Sequence, residues 1–286
     1  MGGRMTGPRS PGPWFAAPVA IFMLACFALP IVIVGWYSLM PARTFDLTGA
    51  LTLENYRAAI SEGYARPMMW SILGATITTV VTALLAWPSA VILHRHAGRW
   101  ATLVTALIAL PIFISESVRL FGMSVFLMPR GGILAGSLNA ALGIQIGSIL
   151  NTWAAALVGM VYIHLPFMLF PLLLGISLIP ADRIEAARDL GANRWQTFRE
   201  VELPLAAPGL TIGALLTFVL CLGANAEAAF LGGRAVTVMT AAIEQRFNYA
   251  KDWPMGAALT VGVIAITAAI VLPALSRLDL GKLTRR

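Results

Sequence analysis

Five stretches of this chain, residues 10–42, 67–93, 131–181, 203–226 and 253–276, contain no Asp, Glu, Lys or Arg. A hydrocarbon core about 30 Å thick is crossed by about 20 apolar residues in a helix, so each run is long enough to span a bilayer. Charged residues make up 12% of the 286 residues, whereas a soluble domain carries roughly twice that share. With 58% hydrophobic residues and a mean hydropathy of +0.81, the chain reads as an all-α polytopic membrane protein.

Six spans account for the pattern, at about 14–38, 68–93, 101–126, 149–172, 206–227 and 254–276. The run from Gly131 to Ala181 is too long for one helix, and Gly131, Gly132, Gly136, Asn139 and Gly143 mark a loop ahead of the fourth span. An even number of spans puts both termini on one side. Taking that side as the cytoplasm places twelve of the 20 Lys and Arg inside and seven outside, with Arg119 within a span. The bias sets the orientation by the positive-inside rule. The expected layout is a cytoplasmic tail at 1–13, a transmembrane region at 14–276 and a second cytoplasmic tail at 277–286.

The net charge of +7 and pI near 10.1 do not signal a nucleic-acid partner. The basic residues sit in short loops between apolar runs and are not interleaved with aromatics. Cys26 and Cys221 lie inside apolar runs without metal-ligand spacing, and read as small buried hydrophobes. Arg4 and Arg9 ahead of an apolar run imitate a signal peptide. That run is too long for one and no cleavage site follows, so a retained first span is expected.

Two outer loops have helical composition. Residues 51–56, Leu-Thr-Leu-Glu-Asn-Tyr, begin like a capped short helix, with Thr52 three residues before Asn55 and Glu54 in the first turn. Residues 240–249 read as helical, and Trp253-Pro254 marks the start of the sixth span. Either segment suits packing at the membrane interface or a platform for an external partner.

The charged island at 180–204 stands apart from the rest of the chain. Pro180 ends the preceding segment, and Asp182 is placed to cap a helix running to about Leu190, with Glu185 near its N-terminal end. Gly191 permits a reversal or kink that a side chain resists. From Ala192 to Val201 a second amphipathic stretch sets Trp195, Phe198 and Val201 at helical spacing, and Leu203-Pro204 stops it and opens the fifth span. Periodicity alone fits two roles: a loop lying on the membrane surface, or one inserted into a groove of a partner.

The stretch Glu185-Ala186-Ala187, then Gly191, then nine residues before Val201-Glu-Leu-Pro204, resembles the "EAA" loop of permease subunits of bacterial ABC importers. Residues 51–56, 113–119 (Phe-Ile-Ser-Glu-Ser-Val-Arg), 165–168 (Leu-Pro-Phe-Met), 230–233 (Phe-Leu-Gly-Gly) and 250–257 (Ala-Lys-Asp-Trp-Pro-Met-Gly-Ala) resemble the spermidine/putrescine-type branch. The resemblance implies a type I (MetI-like) permease of six spans in a bacterial inner membrane. Its implied partners are two copies of an ABC ATPase, a second permease subunit encoded as a different chain and an external solute-binding protein. ATP-Mg is then used by the partner ATPase, and this chain binds no cofactor. By the same resemblance Glu185, Ala186, Ala187, Asp189, Gly191, Trp195, Phe198, Leu203 and Pro204 form the ATPase-docking surface. The solute is a polyamine or another small polar compound such as an amino-acid derivative. One departure stands out: relatives carry Gly-Glu-Phe-Val-Thr-Pro where this chain has residues 223–228, Gly-Ala-Asn-Ala-Glu-Ala. The family's Glu and Pro positions are Ala224 and Ala228, and a carboxylate appears instead at Glu227, which weakens any transfer of polyamine specificity.

Ionisable groups inside a span cost about 2.5–3.5 kcal/mol each on insertion scales and so face protein or water. Glu116 and Arg119 lie three apart on the third span, about 22–27 Å along a straight helix counted from Ala101. Asn225 and Glu227 fall near the outer end of the fifth. These four are candidates to line an outward cavity for the solute. The alternatives are a structural Glu116–Arg119 ion pair and a Glu227 resting in headgroup water. His164, alone in an apolar run, reads as a hydrogen-bonded core histidine, and no metal set is expected.

Two other function classes compete. A stand-alone secondary transporter or channel calls for an internal inverted repeat, and none is evident. A membrane enzyme needs a nucleophile with a base or a metal pair. Ser115 beside Glu116 lacks a partner His, so no catalytic residue is assigned. The chain also has no phosphate-binding P-loop of its own.

Overall fold

The apolar runs fold as long helices: α1 (Gly12–Tyr37), α3 (Ala65–Arg95), α6 (Trp153–Ser177), α9 (Leu203–Leu222) and α11 (Trp253–Ser276). Shorter helices lie between them: α2 (Glu54–Ser61), α4 (Ala101–Ala109), α5 (Glu116–Phe126), α7 (Ala181–Asp189), α8 (Arg194–Thr197) and α10 (Met239–Glu244). The computed structural model describes residues 12–46, 48–128, 132–133, 136–137, 149–233 and 236–276, and no strand occurs among them. The tail residues 1–11 and 277–286, Arg130, Arg234 and most of the loop expected at 131–143 lie outside the described residues. The chain forms two compact units, one of the residues up to Glu62 with Ile243–Gly262, the other of Gly63–Ala242 with the residues from Val263 onward.

In the first unit, the side chains of α1 from Pro18 to Ile33 are exposed. Cys26, expected to be buried, is therefore exposed. An apolar helix uncovered along such a length has lipid or another chain as its neighbour. Beyond α1 the chain is tied down by polar contacts. Asn55 of α2 is buried and donates to the carbonyls of Ser38 (3.1 Å) and Met40 (2.7 Å), while Thr52 Oγ1 accepts the Glu54 N–H at 3.1 Å. The segment 240–249 is helical as expected, ending in a wide π turn at Gln245–Tyr249. Asp252 opens α11 by accepting from the backbone N–H of Met255 (3.4 Å) and of Arg43 (3.1 Å). Arg246 pairs with Glu62 and with Asp252.

The second unit is built on α3, α6 and α9. Ala86 and Ala90 of α3, Met168, Leu169, Leu172 and Ile176 of α6 and Ala206 of α9 share one buried cluster. Helices α6 and α9 meet backbone to backbone. A Cβ on Gly209 would lie 2.4 Å from the Pro171 carbonyl oxygen and 2.9 Å from Gly175 Cα. Small residues permit this approach, which brings van der Waals contact along two apolar helices.

Five helical segments are long and apolar enough to cross a membrane, and a sixth span arises if a bent pair counts as one. That pair replaces the straight third span expected at 101–126: residues 98–113 and 116–126 meet at 100°. Pro111 sits in a 3₁₀ turn, and Ile114 (ψ 136°) and Ser115 (ψ 135°) are extended, which ends the helical hydrogen-bond ladder. The fourth span lies at Trp153–Ser177 rather than 149–172, because Thr152 caps it by accepting the Ala155 N–H at 3.2 Å. The fifth ends at Leu222, with Gly223 as its C-cap, instead of running to 227.

Candidate functional site

The 180–204 segment forms two short helices around a reversal. Helix α7 starts after Pro180, so Asp182 lies in its first turn rather than at its cap, where the carboxylate still favours the helix N-terminus. Gly191 has φ +84°, a left-handed backbone that a Cβ disfavours, and this turns the chain after α7. Asn193 then caps α8 reciprocally with Gln196. The Gln196 N–H donates to Asn193 Oδ1 at 2.9 Å, and the Asn193 N–H to Gln196 Oε1 at 2.8 Å.

Leu203-Pro204 does not stop this helix. From Arg194 the chain stays helical to Leu222, passing through a π turn at Phe198–Glu202. Pro204 supplies no N–H and crowds the carbonyl four residues back, and the wider turn just before it accommodates both effects.

The segment has an inner and an outer face. Ile184 is buried with the α3–α6–α9 cluster, and Val201 packs against that cluster. Phe198 is half-buried, meeting Trp87 edge-on at 5.1 Å and Trp195 at 5.2 Å. Glu185, Ala186, Asp189, Gly191 and Pro204 are exposed, whereas Ala187 and Leu203 are half-buried. Leu190 is 90% exposed and Trp195 66%. The expected stripe is thus divided: Trp195 faces outward while Phe198 and Val201 hold the loop to the protein. Leu190 was not singled out by the sequence, because a Leu at the end of a short amphipathic helix reads equally as core.

The second candidate group lies deeper. Glu227 is 0% exposed, and neither carboxylate oxygen has a hydrogen-bond partner among the described residues. His164 Nδ1 sits 3.6 Å from Glu227 Oε1 and donates to the Met160 carbonyl at 2.9 Å. His164 is therefore the hydrogen-bonded core histidine expected, with an unexpected carboxylate beside it. Glu227 does not rest in headgroup water, because the turn after α9 folds it back into the protein.

Glu116 is exposed and Arg119 half-buried, and no ion pair joins them. The break at Ile114–Ser115 starts a new helix at Glu116, so the straight-helix depth assigned to these two does not hold. Arg119 Nε is buried without a partner among the described residues. Leu120, next to Arg119, shares a buried cluster with Ile163, next to His164, and Ala226, next to Glu227, packs against it, which brings α5 into this neighbourhood. Asn225 is half-buried two residues before Glu227. No cluster of metal-ligating side chains occurs among the described residues.

Residues 95–278 match the family described as binding-protein-dependent transport system inner membrane component. The spermidine/putrescine transport system permease protein PotB of Haemophilus influenzae is 33% identical over 223 residues, 77% of each chain. Its Escherichia coli namesake is 28% identical over 254 residues, covering 89% of this chain and 92% of the relative. Among solved structures, a chain of a bacterial alginate ABC transporter in complex with alginate pentasaccharide-bound periplasmic protein superposes with a TM-score of 0.73 at 20% identity, covering 92% of both chains. The helical order, the apolar spans and the loop at 180–204 meet in one conclusion: the chain belongs to the binding-protein-dependent transport system inner membrane components, as a membrane-spanning permease subunit of an ABC importer with the six-span MetI-like fold.

Proposed function

We propose that this permease forms half of the translocation pore for a small polar, polyamine-like solute and docks a separate ATPase through residues 180–204. One observation carries the docking reading: Leu190 and Trp195 are left exposed on a segment that also presents Glu185 and Asp189. Exposed large apolar groups beside charges suit a partner's pocket with a polar rim. ATP-Mg is then bound by the partner, two copies of which serve this chain and a second permease subunit of different sequence. An external binding protein delivers the solute. This chain carries out no catalysis of its own, and both termini face the cytoplasm.

The similarity to spermidine/putrescine permeases of the PotB type supports a polyamine-like solute. The buried carboxylate of Glu227 supports a cationic one, since a carboxylate without hydrogen-bond partners among the described residues favours a cation brought beside it. Glu116, Arg119 and Asn225 line the approach to it.

A pull-down of the tagged chain in mild detergent tests docking, comparing wild type with Gly191→Trp. A Cβ at Gly191 meets no atom within 4 Å, but its φ of +84° disfavours any Cβ, so the variant adds an indole to the segment and strains the turn after α7 together. The expected result is a P-loop ATPase and a second permease with wild type, and the second permease alone with the variant. Wild type that elutes alone and moves solute in liposomes without ATP points instead to a stand-alone transporter.

A further inference from the structure

The docking segment makes a charged contact outside its own helices. Arg95, the last residue of α3, places a guanidinium nitrogen 2.9 Å from Glu202 Oε1, within the π turn that joins α8 to α9. The Glu202 side chain is 10% exposed and that of Arg95 26%, so the pair is part-buried, with its carboxylate end inside and Arg95 reaching solvent. Two turns earlier on α3, Trp87 meets Phe198 of the same π turn edge-on. An Arg at a helix C-terminus complements the helix dipole, and Glu202 completes a charge pair there. Among the described residues, this is the ion pair that joins the segment to a different span.

The geometry bears on how movement travels. Helix α9 follows the segment without interruption, so any displacement of α8 reaches it through the backbone. Helix α3 has no such continuity and is reached through side chains alone. An ion pair held in one geometry resists sliding along the contact, whereas an apolar contact such as Trp87–Phe198 resists separation but permits rotation.

We propose that Arg95 and Glu202 are positioning residues that clamp α3 to the docking segment, so that ATPase-driven movement of the segment carries α3 and α9 together. The proposal rests on the docking reading above and adds to it the route by which docking becomes pore movement. Neither residue belongs to the exposed docking face, so the clamp and the docking surface are separable by mutation.

The test uses the whole importer, with its ATPase, second permease and binding protein, in proteoliposomes. Putrescine uptake and ATP hydrolysis are measured together for wild type, Arg95→Gln, Glu202→Gln and the swap Arg95→Glu/Glu202→Arg. The two single variants are expected to recover as much ATPase as wild type and to lose about tenfold in solute moved per ATP, the order of effect that coupling between two sites carries. The swap, which restores opposite charges, is expected to regain most of that ratio. A role in folding alone would lower ATPase recovery and hydrolysis along with uptake. Single variants with a wild-type ratio overturn the clamp, and so does a swap that assembles fully yet stays as uncoupled as the singles. Should a single variant fail to assemble, the swap alone decides. Wild type that recovers no ATPase overturns the docking reading itself, and the clamp with it.

Discussion

At the scale of single residues, Glu227 carries the most chemistry. A buried carboxylate without hydrogen bonds destabilises the fold, and such a group is retained where a ligand or a moving proton uses it. Glu227→Gln removes the charge but keeps an unpartnered polar group, so it is expected to raise thermal stability in detergent by less than the ~1–3 kcal/mol that an unsatisfied buried group costs. It should lower uptake at the same time, with subunit assembly intact, and Glu116→Gln should lower uptake as well. Unchanged uptake in both variants removes them from the pathway. A less stable Glu227→Gln shows that its charge is compensated. The His164–Glu227 approach was not legible in the sequence, because it joins residues far apart along the chain. The hydrogen-bonded nature of His164 was legible, since a lone imidazole in an apolar run needs a partner and the backbone is the nearest one.

At the scale of elements, the spans were legible where uncharged length alone decides them and less so where local polar geometry intervenes. Helices α3 and α11 begin and end within a few residues of the expected limits. The third span was missed as a straight helix because its apolar content continues across the break. Pro111 and Ser115 were its only warnings, and each is tolerated inside other spans, as Pro88 and Ser89 are in α3. The continuity of α8 into α9 was hidden in the same way, by a proline that ends some helices and widens others. Backbone contact between α6 and α9 makes Gly209 a sharp test of the packing. Gly209→Val should destabilise the chain by about 1–3 kcal/mol or more through overpacking against Pro171. Gly262→Val, where a Cβ meets no atom within 4 Å, serves as the comparison and should leave the chain unchanged. Monodispersity and melting temperature in detergent provide the readout, and equal values for the two variants would contradict close packing of α6 on α9.

At the scale of the whole molecule, the chain is a membrane-spanning permease subunit of an ABC importer. Its 180–204 segment has two faces: Ile184, Phe198 and Val201 hold it to the protein, and Leu190 and Trp195 are left exposed. Contact mapping distinguishes a face that meets a partner from one that meets lipid. A photo-crosslinking residue would be placed in turn at Leu190, at Trp195 and, as a comparison, at the exposed Phe22 of α1, in cells expressing the complete importer. The expected result is a crosslink from Leu190 and Trp195 to a P-loop ATPase, and none to that ATPase from Phe22. Crosslinks from Leu190 and Trp195 to lipid alone, with no ATPase captured, would contradict the account.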